Sequence, residues 1–249
     1  MSNSDDERAP DGSRILRYEP PKPGFTPAAA TSSCIEEIEK HFATFFGKPT
    51  TVFHEIVSDL VHIDVHIIPP QPKRDYWTLF TTGMSDLPMT PPEGADDQKY
   101  AELMLSLPPN WKIDQLQVTP PPADLERWYW PIRWLKQLAR FPHTCNTWLA
   151  SGHTIPNGDP AEPFTAGTKL CCWLLLPPVR VSSAARTIHL SDGRTVRLFA
   201  LHALHLEEVS LKLNKGLDAL LEAFDRANVG EVLTIDRPSS VRKKLFGLF

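Results

Sequence analysis

The run His62-Ile63-Asp64-Val65-His66 is the part of the chain whose residue types and spacing are best suited to chemistry. Alternate residues of a β-strand project to one side, so His62, Asp64 and His66 would present two imidazoles and a carboxylate together. These groups bind zinc, and a metal-dependent hydrolase using these three residues is one hypothesis. A strand with a polar outer face gives the same alternation, and no fourth ligand is identifiable. We therefore assign no metal ligand and no cofactor.

Two other groups of reactive side chains fit structural roles better than catalytic ones. His202 is expected to end a strand and His205 to cap the next helix, so their imidazoles would diverge and would not share a ligand set with Glu208. His143 and Cys145 are two positions apart near a helix end, where side chains do not face each other. Phosphate-binding glycine loops and a nucleophile elbow are missing from the sequence. We therefore assign no catalytic residue and expect a protein that is not an enzyme.

Composition excludes several classes of partner. With 249 residues, of which 41% are hydrophobic and 22% charged, the chain is expected to form one domain. A formal net charge of -4 gives no basic surface for nucleic acid. The sequence has neither an 18-residue apolar run for a membrane nor an apolar segment of a secretory signal near its start, so we expect a cytoplasmic protein. The four cysteines lack the spacing of a zinc site and are expected to be buried free thiols.

The elements that position these groups follow from local patterns. Residues 1–31 are rich in proline and poor in large apolar groups, which predicts a disordered or extended N-terminal arm. A domain is expected over residues 32–240, with a tail at residues 241–249. The first helix is predicted to begin at a capping box formed by Ser33 and Glu36 and to end near Gly47.

Alternating or continuous apolar patterns predict several strands. Asp192-Gly193 is the strongest hairpin signal and predicts an antiparallel ribbon between the last two strands. The predicted strands are residues 52–56, 61–68, 76–82, 99–107, 168–176, 186–190 and 195–201.

Two further helices are predicted after the fourth strand. One is expected to begin near Trp130, because Pro131 suits the first turn of a helix, and to end at Phe141. The last helix is expected to run unbroken over residues 206–224, with Glu208 and Lys212 paired on its outer surface. Three helices and six or seven strands predict an α+β fold, a mixed and mainly antiparallel sheet with helices packed on it.

Residues 76–89 combine a strand, a glycine turn and an uncommon motif. Tyr76 to Thr81 suit a pleated surface, and Gly83 is expected to need a positive φ. Ser85 and Asp86 are expected to hydrogen-bond nearby backbone amides and hold the turn without a helix. In the next strand four apolar residues share one face, namely Ala101, Leu103, Leu105 and Leu107.

The order of these motifs along residues 35–240 resembles the suppressor of fused family. The resemblance is carried first by Gly-x-Ser-Asp-Leu and the Glu-Leu strand, and then by four later segments. The matching residues are Gly83, Ser85, Asp86, Leu87, Glu102 and Leu103, then Leu138, Ala139, Arg140 and Phe141, then Ser151-Gly152, Leu206-Glu207-Glu208 and Ile235-Asp236-Arg237.

The resemblance implies a binding protein. Animal members hold Gli-type transcription factors and carry a second, C-terminal domain, whereas many bacterial members are thought to be immunity proteins against toxins. This sequence ends about a dozen residues after Ile-Asp-Arg, so we expect a bacterial-type, single-domain member. The implied partner is a protein, either a toxin or the target of a regulatory or scaffold module, and the oligomeric state stays open.

The resemblance also implies a partner-facing surface in two stretches. It would accept an extended segment, by strand addition or by filling shallow pockets. The implied partner-binding residues are Phe141, Ser151, Gly152 and His153, followed by Pro177, Pro178 and Val179.

Overall fold

A computed structural model describes residues 7–18, 24, 26–28, 34–55, 58–117 and 126–241. Within these residues the chain forms four α-helices and eight β-strands. In chain order they are α1 (Ile35–Phe45), β1 (Thr51–Phe53), β2 (Asp64–Ile68), β3 (Trp77–Thr82), β4 (Ala101–Leu107), α2 (Glu126–Thr144), β5 (Thr154–Pro156), β6 (Leu170–Leu176), β7 (Thr187–His189), β8 (Thr195–His205), α3 (Leu206–Lys215) and α4 (Leu217–Ala227).

The strands form one mixed sheet in the order β1-β2-β3-β4-β8-β6-β5, and β7 also pairs with β8. All of these pairs are antiparallel except β4 and β8, which run parallel with Ala101 opposite Arg197. The first residues of β8 pair with β7, and the later ones pair with β6. The predicted α+β class and the predicted hairpin at Asp192-Gly193 are therefore confirmed.

Helices cover both faces of the sheet. On one face α2 packs through Trp130 and Leu135 against Leu103 and its neighbours. On the other face α1 packs on β3, where the rings of Phe42 and Phe80 stack with centroids 3.7 Å apart. Every residue of β2 and β4 is buried as a result. The alternating polar residues of β2 therefore do not form an exposed face, contrary to the prediction.

The shared face predicted for β4 is confirmed. Ala101, Leu103, Leu105 and Leu107 belong to the core under α2, whereas Met104 belongs to the core under α1. This division follows from the period of two in a strand, because successive side chains point to opposite faces.

Helix α2 begins earlier than predicted. It starts at Glu126 and contains both Pro131 and Pro142. Pro131 removes one backbone hydrogen bond near the start of the helix, but Trp130, Leu135 and Leu138 on the same helix are almost fully buried. Burial of these side chains outweighs the local cost of the proline.

The predicted last helix is two helices. Gly216 adopts φ 87° and ψ 171°, which ends α3 and starts α4 in a new direction. Leu220 and Phe224 of α4 then pack against Cys172 of β6. Glu208 is buried in this region, so the outer ion pair predicted between Glu208 and Lys212 is wrong.

The ends of the elements give mixed outcomes for the predictions. Ser33, the predicted cap of α1, lies outside the described residues, and the N-cap is Cys34 without a side-chain cap hydrogen bond. His205 is the N-cap of α3, as predicted.

Strand β5 was not predicted. All four cysteines are free, and three of them are buried, whereas Cys145 is half-buried. In the described part of the chain no helix is both long and apolar enough to cross a membrane.

Candidate functional site

The three residues of the metal hypothesis do not converge. His66 lies under α1, where its ring stacks on Phe80 at 4.8 Å and its Nδ1 is 3.0 Å from Oε1 of Glu39. Burial lowers the pKa of His66 to about 4, although the charge of Asp64 opposes this shift. His62 and Asp64 instead meet His54, which precedes β2 in the chain and was not predicted. The structure therefore does not bring together the hypothesised set of His62, Asp64 and His66, which was not assigned as a metal site.

The other reactive groups make separate contacts, but the prediction that His202 ends a strand is wrong, because β8 continues to His205. Nε2 of His143 is 3.0 Å from the carbonyl oxygen of Met84, and Cys145 follows the end of α2. His202 lies within β8 and is buried, and burial lowers its pKa to about 4. Nε2 of His205 is 2.9 Å from the carbonyl oxygen of Arg237. Within the described residues these side chains do not form a nucleophile and base pair.

Two of the predicted partner-facing segments are adjacent. The backbone N–H of Gly152 donates to the carbonyl of Leu175 at 2.7 Å, and the N–H of Leu175 donates to the carbonyl of His153 at 3.0 Å. These bonds place residues 151–153 beside the end of β6, from which residues 177–179 continue. Val179 is 61% exposed, and its N–H donates to Glu231 at 2.8 Å. Residues 151–153 therefore lie at the β5 edge, whereas Pro178 is buried and Val179 turns towards Glu231, whose other carboxylate oxygen is 3.4 Å from Oγ of Ser106 on β4.

Phe141 contacts the N-terminal segment. The Tyr18 ring meets the Phe141 ring edge to face with centroids 5.2 Å apart, and the Tyr18 hydroxyl hydrogen-bonds Oγ1 of Thr147. Arg17 forms an ion pair with Asp159, which follows β5. The sequence analysis missed this contact, although Tyr18 is an aromatic residue in a polar stretch and was the available signal.

The Gly-x-Ser-Asp-Leu motif and the Glu-Leu strand are joined by one buried carboxyl group. Glu102 of β4 is fully buried and accepts hydrogen bonds from Oγ1 of Thr81 at 2.6 Å and from the Ser85 backbone N–H and Oγ at 3.0 and 2.7 Å. The prediction that Ser85 bonds nearby backbone is wrong. The turn also contains a short 3₁₀ helix, Met84–Asp86, which the prediction excluded.

Burial dominates the electrostatics of Glu102. It raises the pKa of this carboxyl to about 7, even though the hydrogen bonds from Thr81 and Ser85 act in the opposite direction. A carboxyl inside the core favours its neutral form because the ion loses its hydration. The motif thus closes a buried contact between β3 and β4 and exposes no reactive carboxylate.

Gly83 has to be glycine for two reasons. Its φ is 97°, as predicted, and a Cβ there would lie 1.8 Å from the carbonyl oxygen of His62. The chain before β2 therefore passes directly against the turn. Leu87 at the end of the motif is 42% exposed, and Asp86 is half-buried.

Arg140 of the Leu-Ala-Arg segment fixes the connection between β1 and β2. Its guanidinium donates to Oε2 of Glu55 at 2.5 Å and to the carbonyls of Asp59 and Val61 at 3.0 and 3.2 Å. The same Glu55 oxygen accepts from the N–H of Ile63 at 3.1 Å. This residue of the motif ties α2 to the described part of the connection between β1 and β2.

The last two motif segments are the two sides of one buried ion pair. Glu208 accepts a bond from each terminal nitrogen of Arg237, both at 2.6 Å, and further bonds from the N–H groups of His205 and Ser240, both at 2.8 Å. Burial alone would raise the pKa of Glu208, but the hydrogen bonds and charge of Arg237 hold it below its ordinary value. Arg237 also donates to the carbonyl of Ala203 at 2.7 Å.

The profile of the Suppressor of fused protein (SUFU) family matches residues 59–238. This range contains the contacts of Gly83, Glu102, Arg140 and Glu208 described above, except those that Glu55 and Ser240 make. The chain belongs to the suppressor of fused family. No curated protein matches it at a significant level.

Solved structures agree with the family. The chain resembles a putative suppressor of fused homologue from Neisseria gonorrhoeae, with a TM-score of 0.56 and 14% identity over 84% of this chain and 97% of that one. It resembles a chain of the Sufu–Fu complex with a TM-score of 0.58 and 16% identity. That match covers 86% of this chain and 93% of the other chain. It resembles Drosophila Suppressor of Fused with a TM-score of 0.54 and 16% identity. That match covers 83% of this chain and 50% of the Drosophila chain. At these identities the likeness concerns the fold.

The suppressor of fused motifs of this chain are mainly internal. Gly83, Ser85, Glu102 and Glu208 are buried and hold strands, turns and helices together. These buried motifs therefore identify the fold, whereas Ser151-Gly152 is the motif segment that lies at the β5 edge.

The buried carboxyl of the suppressor of fused motif should make stability depend on pH. Glu102 has a raised pKa of about 7 in the fold against an ordinary value of 4.5, so the folded chain keeps a proton that the unfolded chain loses as the pH rises from 4.5 to 7. A glutamine side chain at this position would mimic the neutral acid. The parent should therefore lose stability between pH 5 and pH 8 that Glu102→Gln keeps. We expect the difference in free energy of unfolding between variant and parent to rise by about 2–3 kcal/mol over this range. Urea unfolding at both pH values measures this gain.

The control for this substitution is Glu207→Gln on the exposed side of α3. A Glu102→Gln protein whose stability relative to the parent is the same at pH 5 and pH 8 would contradict the assigned protonation of Glu102.

Proposed function

We propose that this chain is a non-catalytic protein-binding domain, and specifically a cytoplasmic immunity protein that neutralises a cognate toxin by occlusion. The observation that carries the proposal is the open β5 edge, where Gly152 and His153 bond to Leu175 at the end of β6 and the exposed Val179 follows four residues later in the chain. A similar solved structure, the Sufu–Fu complex, contains a suppressor of fused protein together with another protein. Occlusion requires a surface of this kind and no chemical step.

The edge strand supports strand addition. β5 pairs with β6 on one side and has no other strand neighbour among the described strands. The carbonyl of His153 and the N–H of Asn157 bond to β6, so by alternation the N–H and C=O of Thr154 face the open side. Such groups on an open edge pair readily with an extended segment of another chain. Pro156 lacks an N–H, so Thr154 is the residue we assign to this pairing, and the exposed Val179 adds an apolar contact.

The N-terminal segment belongs to the same region. Tyr18 packs on Phe141, Arg17 pairs with Asp159, and the N–H of Asp11 donates to the carbonyl of Leu213 at 2.9 Å. A toxin that reaches Phe141 has to displace residues 7–18 or include them in the interface. We propose that the segment is part of the binding surface.

Val179→Asp tests the immunity function. A charge at this exposed apolar position should remain unpaired in the interface, and we expect affinity for the toxin encoded beside the gene to fall by about 5–30-fold. Growth of cells that express the toxin with each variant, and calorimetric titration of the purified proteins, measure the effect. Leu206→Asp is the matched control, because Leu206 is 55% exposed and lies outside the proposed surface.

Each outcome separates the hypotheses. Protection by the parent and by Leu206→Asp, with loss in Val179→Asp, supports the proposal. Failure of the parent to bind or protect rejects the immunity role, and recovery of a non-toxic protein partner would favour a regulatory or scaffold module. Equal binding by both variants would place the interface elsewhere.

A further inference from the structure

His54, His62 and Asp64 bring three metal-binding atoms together beside the start of β2. Oδ2 of Asp64 is 2.9 Å from Nδ1 of His54, and Oδ1 is 3.1 Å from Nε2 of His62. The three ligand atoms lie within 4.8 Å of one another. This is a convergence of two imidazoles and a carboxylate from both sides of the β1 to β2 connection.

Neighbouring groups orient these side chains. Oγ of Ser58 is 2.6 Å from Nδ1 of His62, which leaves Nε2 directed at Asp64. The N–H of Glu55 donates to Oδ1 of Asp64 at 3.2 Å. Such outer hydrogen bonds are the usual means by which proteins fix the rings and carboxylates of metal sites.

The charges near Asp64 are mixed, because the ammonium group of Lys136 on α2 interacts with both Glu55 and Asp64. Glu55, the other acidic side chain beside the cluster, is engaged by Arg140 at 2.5 Å. Asp64 is 5% exposed and is fixed by the pairing of β2 with Thr82 of β3. The His54 side chain is 69% exposed, so an ion has access from solvent.

We propose that His54, His62 and Asp64 form a binding site for a divalent transition-metal ion, with zinc as the best match. Zinc takes imidazole and carboxylate ligands at about 2.0–2.2 Å in tetrahedral geometry, which places neighbouring ligand atoms roughly 3.3 Å apart. The distances of 2.9 and 3.1 Å involve different oxygens of Asp64, and the three ligand atoms lie up to 4.8 Å apart, so the exposed His54 side chain has to move inwards to complete the site. The fourth position faces the exposed side and is open to water or to a ligand atom of another protein.

This site differs from the hydrolase hypothesis in its ligands and in its chemistry. His66 does not contribute, because it is buried under α1. We assign only binding of the ion, since no substrate pocket or general base is identified beside the cluster among the described residues. The inference does not depend on the immunity function.

Zinc titration of the full chain tests the site. The protein is treated with a chelator, dialysed and titrated with zinc chloride in a calorimeter, and one ion per chain is expected. Changing a residue that only hydrogen-bonds a metal ligand typically lowers metal affinity roughly 10–100-fold. The double variant His54→Ala with His62→Ala removes two of the three ligands, so it should lose measurable zinc binding. His189→Ala changes an exposed histidine on β7 and should bind zinc like the parent.

Two further measurements make the outcome decisive. Cobalt should give the strong visible absorption of a tetrahedral site in the parent and not in the double variant, and magnesium should not compete, because it prefers oxygen ligands in octahedral geometry. Far-ultraviolet circular dichroism checks that the double variant is folded. Equal zinc affinity in the parent and in the folded double variant, or no zinc binding by the parent, would overturn the proposal.

Discussion

Gly83→Ala is expected to prevent stable folding. The new Cβ would lie 1.8 Å from the carbonyl oxygen of His62, and that oxygen belongs to backbone, which cannot rotate away as a side chain can. A left-handed φ adds about 1–2 kcal/mol for a residue with a Cβ, and crowding of this kind adds roughly 3 kcal/mol or more. The sum of about 4 kcal/mol or more approaches the total stability of many domains. Thermal unfolding and soluble yield measure the result.

Gly193→Ala is the matched control for this prediction. Gly193 also has a positive φ, of 88°, but nothing lies within 4 Å of the position that a Cβ would occupy. It should therefore show only the conformational cost of about 1–2 kcal/mol. If both variants are destabilised to the same extent, the close contact between Gly83 and His62 is not the cause.

Arg237→Ala is expected to destabilise the domain by about 3–5 kcal/mol. The substitution leaves the fully buried Glu208 carboxylate with backbone N–H donors but without a positive charge. It also removes the bond to Ala203 and the guanidinium that lies 5.6 Å from the centre of the Phe224 ring. Urea unfolding at pH 7.5 measures the loss.

The exposed pair on α4 provides the comparison. Arg226 and Glu222 are 3.5 Å apart, and both side chains are about 70% exposed. Arg226→Ala should leave stability nearly unchanged, because solvent screens such pairs. A similar small effect from Arg237→Ala would mean that Glu208 does not depend on its partner. Replacing both residues together, by Glu208→Leu with Arg237→Met, should recover much of the loss.

Patterns between neighbours in the sequence predicted much of the fold. The positive φ of Gly83, the hairpin at Asp192-Gly193 and the shared face of Leu103 and Leu105 each follow from a few adjacent residues. These signals are local, and the structure confirms them. The helix break at Gly216 was missed because the apolar spacing of residues 206–224 continues through it.

Contacts between distant segments were not predictable in the same way. Sequence spacing placed His66 with His62 and Asp64, but α1 covers that position and His54 takes its place. The partner of Glu208 was assigned to Lys212, four positions away, whereas it is Arg237. Such pairings depend on how the elements pack, and a resemblance to a family carries that information only through the motifs. The partner-binding residues stay a prediction.

The parallel pair at the centre of the sheet has a consequence for synthesis on the ribosome. β4 is paired on one side by β3 as soon as both have emerged, but its other edge pairs with β8, where Ala101 meets Arg197. At about 5–20 residues per second, that partner is translated roughly 5–20 s later. During this interval an apolar strand edge is open to other nascent chains. High expression at elevated temperature should therefore favour aggregation of unfinished chains over loss of the completed protein.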